Sequence, residues 1–235
     1  IFSRFFERKK NIKLGFYGPT NAGKTSLANR ICKDWTGEEI GNVSKIPHET
    51  RNIQFKEKVE IKYKGKTITF KLIDTPEEIL KAEILILPGV GAFRDGMIGL
   101  KKRGLVESIK EYTKNGKPLL GICLGAQLLL TVGEEFGVTD GLDILPGVVK
   151  KLKEPNGGKK YKIPHVGWNT VSLDKESVSG DELGKIIDNS EFYFVHSYCT
   201  IPQDNNLIFA KTEHGANNFC SIIKKGNILG CQFHP

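Results

Sequence analysis

Short apolar runs alternate along the chain with stretches of helical periodicity, which is the pattern of an α/β fold. Helical periodicity predicts helices at about 95–114 and 125–133, and the stretch 140–190 is rich in loop-forming residues. The apolar runs predict strands at 13–17, 70–74, 83–87, 117–122, 192–198, 207–211, 219–223 and 228–233.

Two neighbouring segments alternate between apolar and polar positions with a period of two, which predicts a β-hairpin. The segments are Val59-Glu60-Ile61-Lys62-Tyr63 and Thr67-Ile68-Thr69-Phe70, and Lys64-Gly65-Lys66 separates them.

A cysteine flanked by glycines interrupts the apolar stretch 117–130, at the point where a strand gives way to a helical run. Gly121 and Gly125 are expected to let the backbone turn sharply, so that Cys123 projects at the positive end of the following helix. A thiol in that position is easier to ionise, and the thiolate is the nucleophilic form. The pattern therefore predicts a nucleophile elbow, with a buried structural thiol as the alternative.

A second motif follows the strand at 13–17, where Gly18-Pro19-Thr20-Asn21-Ala22-Gly23-Lys24-Thr25 leads into a helical run. This is a complete G-x-x-x-x-G-K-T phosphate loop in a strand-to-helix context. Its backbone N–H groups are expected to cradle phosphates, with Lys24 on the outer phosphates and Thr25 on Mg²⁺. A simple glycine turn is the alternative. The predicted nucleotide-binding residues are Gly18, Asn21, Ala22, Gly23, Lys24, Thr25 and Ser26.

Length and composition allow one large α/β domain or two small ones, because the chain has 235 residues, of which 39% are apolar and 26% charged. No apolar run is long enough for a signal peptide or a membrane span, and the five cysteines lack a regular spacing. These features predict a reduced, cytoplasmic protein without a membrane partner. The net charge of +8 comes from scattered lysines, so a nucleic-acid partner is disfavoured.

Four motifs match one family. They are Leu87-Pro88-Gly89-Val90-Gly91-Ala92-Phe93, Gly121-Ile122-Cys123-Leu124-Gly125, Pro164-His165-Val166-Gly167-Trp168-Asn169 and Gly230-Cys231-Gln232-Phe233-His234-Pro235. Residues from about 76 to 235 therefore resemble the class I (triad) glutamine amidotransferases, in particular the glutaminase subunits of imidazole glycerol phosphate synthase from histidine biosynthesis. The resemblance implies hydrolysis of L-glutamine without a cofactor, and delivery of ammonia to a cyclase subunit in a heterodimer.

The resemblance also implies roles for individual residues. Cys123 is the nucleophile and His234 its base, while the backbone N–H groups of Val90 and Leu124 bind the oxyanion. The segment from His165 to Asn169 faces the cyclase subunit. In the family a glutamate follows His-Pro and orients the histidine, and this sequence ends at Pro235, so an impaired glutaminase is expected. The implied substrate contacts are Gly91, Gln127, Glu135, His196, Ser197 and Tyr198.

Residues 1–76 resemble the beginning of an Era-type, translation-factor-class GTPase. The resemblance rests on the phosphate loop, on Pro47-His48-Glu49-Thr50-Arg51 and on Leu72-Ile73-Asp74-Thr75-Pro76. It implies that Thr25, Thr50 and Asp74 hold Mg²⁺. The resemblance stops at Glu77, where the family has glycine. No N-K-x-D motif, which would read a guanine base, follows in the sequence. The sequence therefore leaves open whether the nucleotide is GTP or ATP.

These observations predict a chimera, with an incomplete P-loop GTPase-like segment at 1–76 and a glutamine amidotransferase domain at 77–235. The expected fold is a three-layer α/β arrangement around a mostly parallel sheet, in which a P-loop β-α-β-β segment replaces the first strands. The strands at 13–17 and 70–74 are then expected beside the strand at 83–87 in one continuous sheet. A nucleotide-binding module and an inactive recombined or truncated chain remain the alternatives.

Overall fold

A computed structural model describes residues 11–16, 58–63, 66–73, 75–155, 161–174 and 182–234. The predicted phosphate loop and its helix, together with Thr50 and Asp74, lie outside these ranges. The helices are α1 (Pro76–Lys81), α2 (Phe93–Lys102), α3 (Leu105–Lys114), α4 (Leu124–Leu128) and α5 (Glu182–Ile187), with a short 3-10 helix at Asn205–Leu207. The strands are β1 (Asn11–Phe16), β2 (Lys58–Tyr63), β3 (Lys66–Leu72), β4 (Ile84–Gly89), β5 (Leu119–Cys123), β6 (Leu130–Gly133), β7 (Thr139–Asp140), β8 (Leu145–Lys151), β9 (His165–Leu173), β10 (Ser190–His196), β11 (Tyr198–Pro202), β12 (Ile208–His214), β13 (Asn217–Lys225) and β14 (Ile228–Cys231).

The described strands form one hydrogen-bonded sheet, whose main path runs β2-β3-β1-β4-β5-β14-β13-β11-β8-β6-β7. β9, β10 and β12 branch from this path, since β12 pairs with both β13 and β9, and β9 pairs with β10. The parallel centre consists of β3, β1, β4, β5 and β14. Parallel neighbours end at the same edge of a sheet, so the carboxyl ends of β4 and β5 meet there.

The N-terminal strands belong to this same sheet. β1 lies between β3 and β4 and is parallel to both, with Leu14 opposite Phe70 on one side and Ile84 on the other. β2 and β3 form the predicted antiparallel hairpin. The expectation of one continuous sheet is therefore confirmed. β1 lies directly beside β4, as expected, whereas β3 is one strand further away, on the other side of β1.

Some features of the predicted fold are wrong. Antiparallel pairings outnumber parallel ones among the described strands, so the sheet is mixed rather than mostly parallel. The helix predicted at 95–114 is two helices, because Gly104 has a φ of 66° between them. The stretch predicted as loop-rich, 140–190, contains β8, β9 and α5.

The helix predicted at 125–133 also ends early. α4 stops at Leu128, and Leu130–Gly133 is strand β6, which pairs with β7 and β8. The apolar run Leu128-Leu129-Leu130 satisfies a helical and an extended pattern equally well, and strand pairing with distant residues decides between them.

Two hydrophobic cores cover the two faces of the central sheet. On β4, Leu85 and Leu87 pack into the core that α1, α2, α3 and α4 cover. Ile84 and Ile86 point to the other core, which includes Val171 of β9 and other residues from the branching strands and α5. The alternation along β4 shows that the strand is buried on both faces.

Candidate active site

Cys123 stands at the junction of β5 and α4 with a backbone conformation that non-glycine residues rarely adopt, φ 52° and ψ −111°. The strain resides on the cysteine itself, whereas the sequence suggested that the flanking glycines supply the turn. Those glycines supply space instead. A Cβ on Gly125 would lie 1.7 Å from the carbonyl oxygen of Leu87, and one on Gly121 would lie 2.8 Å from the backbone of Ala126.

The end of β4 lies directly beside the elbow. Gly89 is paired with Cys123 across the parallel strands, so the next residue, Val90, leaves the sheet next to the cysteine. Val90 is 43% exposed, and Gly91 has a φ of 105°. The sheet register therefore brings the two residues predicted to bind the oxyanion, Val90 and Leu124, to the same edge.

Glu135 secures the segment that follows Val90. Its Oε2 accepts a hydrogen bond of 2.8 Å from the backbone N–H of Phe93, the first residue of α2. A carboxylate at a helix N-terminus satisfies a free N–H and complements the helix dipole. In this structure the residue predicted as a substrate contact thus anchors the loop between β4 and α2.

The thiol of Cys123 is buried, with 6% of the residue exposed. Desolvation raises its pKa to about 11, against hydrogen bonds from the backbone of Leu124 and from the side chain of Gln232, which both lower it. The sequence predicted the opposite direction, because burial cannot be read from the elbow motif. Cys199, Cys220 and Cys231 are also buried, and desolvation raises the pKa of each to about 12.

His234 follows β14, and its backbone N–H donates to the carbonyl oxygen of Tyr193 over 2.9 Å. Its Nε2 is buried and has no hydrogen-bond partner within the part of the chain that the structure describes. Burial lowers the pKa of His234, which favours the neutral imidazole that can accept a proton. The predicted nucleophile and base are therefore not hydrogen-bonded through Nε2 in this arrangement.

Gln127 faces the interior and takes part in a buried amide network. Its Nε2 donates to the carbonyl oxygen of Tyr198 over 2.9 Å and to Oε1 of Gln232 over 3.0 Å. Nε2 of Gln232 lies 3.6 Å from Sγ of Cys123. One chain of hydrogen bonds thus joins the helix, the strand β11 and the nucleophile.

The same carbonyl of Tyr198 continues the network toward β9. It lies 2.9 Å from Nδ1 of His196, and because a carbonyl can only accept, His196 carries its proton on Nδ1. His196 Nε2 then accepts from Nδ1 of His165 over 3.2 Å. Nε2 of His165 in turn accepts from Nδ2 of Asn169 over 3.2 Å. Desolvation lowers the pKa of both histidines to about 4, consistent with two neutral rings.

Among the sequence-predicted residues, the structure links Cys123, Gln127, Tyr198 and His196 through hydrogen bonds. Ser197 contributes its carbonyl oxygen to the backbone N–H of Leu152. The residue that sequence reasoning missed is Gln232. Its position two residues before His234, at the end of a strand, was the available signal, since residues two apart share a face of an extended chain.

The chain matches a known family over most of its length. The family model for glutamine amidotransferase class-I matches residues 42–235. This chain belongs to the class-I glutamine amidotransferases.

The match starts at residue 42, inside the segment 1–76 that the sequence motifs assigned to a GTPase-like part. The comparisons therefore do not support a separate GTPase-like part. Relatives named imidazole glycerol phosphate synthase subunit HisH include one from Geobacter sulfurreducens, 44% identical over 68% of this chain and 76% of the relative. Another, from Moorella thermoacetica, is 46% identical over 70% and 74% of the two chains.

Solved structures support the fold. A crystal structure of a glutamine amidotransferase from Thermotoga maritima matches with a TM-score of 0.55 and 16% identity, covering 97% of this chain and 76% of that one. A second crystal structure titled glutamine amidotransferase matches with a TM-score of 0.53, also at 16% identity, over 71% and 77% of the two chains. Within the described ranges, no helix has the length and apolar character needed to cross a membrane.

Proposed function

We propose that this chain hydrolyses glutamine to glutamate and ammonia and passes the ammonia to a cyclase subunit, as part of an imidazole glycerol phosphate synthase in histidine biosynthesis. The observation that carries the proposal is the strained backbone of Cys123 at the end of β5, because strain of this kind at a nucleophilic side chain is typical of a functional elbow. The names of the HisH relatives support the pathway and the partner.

The proposed reaction uses groups of the chain alone. His234 takes the proton of the Cys123 thiol, and the resulting thiolate attacks the carboxamide carbon of glutamine. The backbone N–H groups of Val90 and Leu124 hold the oxyanion that forms. His234 delivers a proton to the nitrogen as the C–N bond breaks, so that ammonia leaves and a thioester remains. Water then cleaves the thioester, which releases glutamate and regenerates the thiol. No cofactor enters these steps. Gly91, Gln127, Glu135, His196, Ser197 and Tyr198 remain predicted substrate contacts.

The surface of the hairpin formed by β9 and β10 supports a protein partner. Trp168 is 70% exposed and Val166 55% exposed. Trp168 stands opposite Tyr193, with ring centroids 5.8 Å apart in an edge-to-face arrangement. Adjacent exposed apolar side chains are typical of a surface that another protein covers. We propose that the cyclase subunit docks here, on the segment that the family resemblance assigns to it.

Ammonia release from glutamine tests the proposed activity. We expect the chain to release ammonia from glutamine when it is mixed with the cyclase subunit that partners a HisH relative. The Cys123→Ala variant should release none in the same mixture. If the parent chain releases no ammonia with the partner present, the proposed function is wrong.

We further infer that the N-terminal segment binds a nucleoside triphosphate with Mg²⁺. The specific observation is that β1 ends at Phe16, two residues before the G-x-x-x-x-G-K-T motif begins at Gly18, so the motif follows a strand as a phosphate loop requires. Lys24 would contact the outer phosphates, and Thr25, Thr50 and Asp74 would hold the metal. On this inference the chain is a chimera of an incomplete P-loop GTPase-like segment at 1–76 and a glutamine amidotransferase domain at 77–235.

A fluorescent nucleotide titration tests this second function. We expect weak, Mg²⁺-dependent binding with little preference between guanine and adenine, since no base-reading motif follows. Lys24→Ala is the control, and it should abolish binding. No binding by the parent chain in the presence of Mg²⁺ would refute the inference without affecting the glutaminase proposal.

A further inference from the structure

The amide groups of Gln127 and Gln232 form a buried pair beneath the nucleophile. Gln127 is 5% exposed and Gln232 is 1% exposed, so water does not compete for their hydrogen bonds. A buried amide without partners costs free energy, and this pair is joined directly by a bond of 3.0 Å. The two residues come from α4 and from the segment just after β14.

The hydrogen bonds determine which way each amide points. The carbonyl oxygen of Tyr198 can only accept, so the group of Gln127 that faces it is the NH₂ group. The second hydrogen of that NH₂ group points to Gln232, which must therefore present its oxygen to Gln127. The NH₂ group of Gln232 is left facing Sγ of Cys123, at 3.6 Å.

We propose that Gln232 is a positioning residue for the nucleophile, and that Gln127 and the carbonyl of Tyr198 orient its amide so that it donates a hydrogen bond to the sulfur of Cys123. A donor in this position stabilises the thiolate relative to the thiol and holds the sulfur at one place above the strand end. The role rests on the proposed glutaminase function, because it concerns how that nucleophile forms.

The need for such a donor follows from the burial of the thiol. Desolvation is the main cause that raises the pKa of Cys123, and only hydrogen bonds act in the other direction. The backbone N–H of Leu124 is one of these donors, and in the proposed reaction it must serve the oxyanion of the substrate. The NH₂ group of Gln232 can donate to the sulfur throughout the reaction, because the proposed reaction gives that group no other role.

The pH dependence of Cys123 alkylation tests the proposal. Iodoacetamide labelling of the full chain is followed by mass spectrometry of the Cys123 peptide between pH 7 and 11. Gln232→Met keeps the approximate volume and removes the donor, so we expect the profile to move to higher pH and the rate at pH 8 to fall roughly tenfold. Gln127→Met leaves the amide of Gln232 free to rotate, so a smaller shift in the same direction is expected.

The matched control is Gln203→Met, which replaces an exposed glutamine and should leave the profile unchanged. Thermal unfolding of each variant separates loss of fold from loss of the donor. If folded Gln232→Met alkylates with the parent's profile, the proposal is overturned; if that variant folds poorly, the profile of Gln127→Met decides in the same way. The assay does not require glutamine turnover, so a shifted profile in a chain that releases no ammonia would reject the proposed function and keep the positioning role.

Discussion

At Gly125 the sheet and helix α4 approach so closely that no side chain fits. The Cβ of an alanine there would lie 1.7 Å from the carbonyl oxygen of Leu87. Because that oxygen belongs to the backbone, no side-chain movement can relieve the overlap. We expect Gly125→Ala to reduce the free energy of unfolding by at least about 3 kcal/mol, because the elbow must shift to accommodate it. Urea denaturation followed by circular dichroism measures the change.

Gly99 supplies the matched control for this prediction. It lies inside α2, and a Cβ built on it meets no atom within 4 Å. Gly99→Ala should therefore increase the stability by about 0.5–1 kcal/mol, through the lower helix propensity of glycine. Equal effects of the two substitutions would contradict the close packing at the elbow.

Among the elements, β9, β10 and β11 are connected by two neutral histidines, His165 and His196. Burial lowers the pKa of each to about 4, below the usual 6.5. The unfolded chain therefore binds more protons than the folded chain between these values. The contribution of the two neutral histidines to the free energy of unfolding should be fully present above pH 6.5 and should be lost as the pH falls toward 4. For one group this contribution is up to roughly 1.4 kcal/mol per unit of pKa shift.

Replacing one of the two histidines tests this dependence. His196→Gln removes a group that titrates, so the decline of the unfolding free energy between pH 6.5 and 4 should become shallower than in the parent chain. Urea midpoints at several pH values within that window measure both slopes. A variant with the parent's slope would show that other groups cause the acid sensitivity.

For the whole molecule, the position of β1 between β3 and β4 predicts one cooperative unfolding unit. The two tryptophans report on the two parts, because Trp35 belongs to the N-terminal segment of the sequence and Trp168 to β9. Trp35→Phe leaves Trp168 as the fluorescent reporter, and Trp168→Phe leaves Trp35. We expect the two variants to give coincident thermal transitions. Separate transitions would indicate two independently folded parts.

A pair of proline substitutions in β1 sharpens this test. Gly15 lies inside the strand, between Lys71 of β3 and Leu85 of β4, where a proline removes a hydrogen bond of the ladder. Gly15→Pro should lower the midpoint seen by both tryptophans. Asn11→Pro, at the first residue of the strand, should have a smaller effect, since proline is tolerated at that position.

Sequence patterns determined the hairpin of β2 and β3, the elbow at Cys123 and the family, because period-two alternation and glycine spacing act over a few residues. They also placed β1 beside β4. The phosphate loop and the metal residues remain predictions, as they lie outside the described ranges. Only the tertiary structure decided that β6 replaces the end of a helix, and that antiparallel strands cover one face of the central sheet.

The chemical state of the site also belongs to the tertiary structure. The motif around Cys123 predicted a lowered pKa, but the direction is set by burial among residues from distant elements. Gln127 and Gln232, which face each other, are 105 residues apart in the sequence. No local pattern encodes that contact. A sequence therefore determines which nucleophile is displayed, while the fold decides how buried it is and which donors reach it, because both depend on side chains that meet only after the sheet has formed.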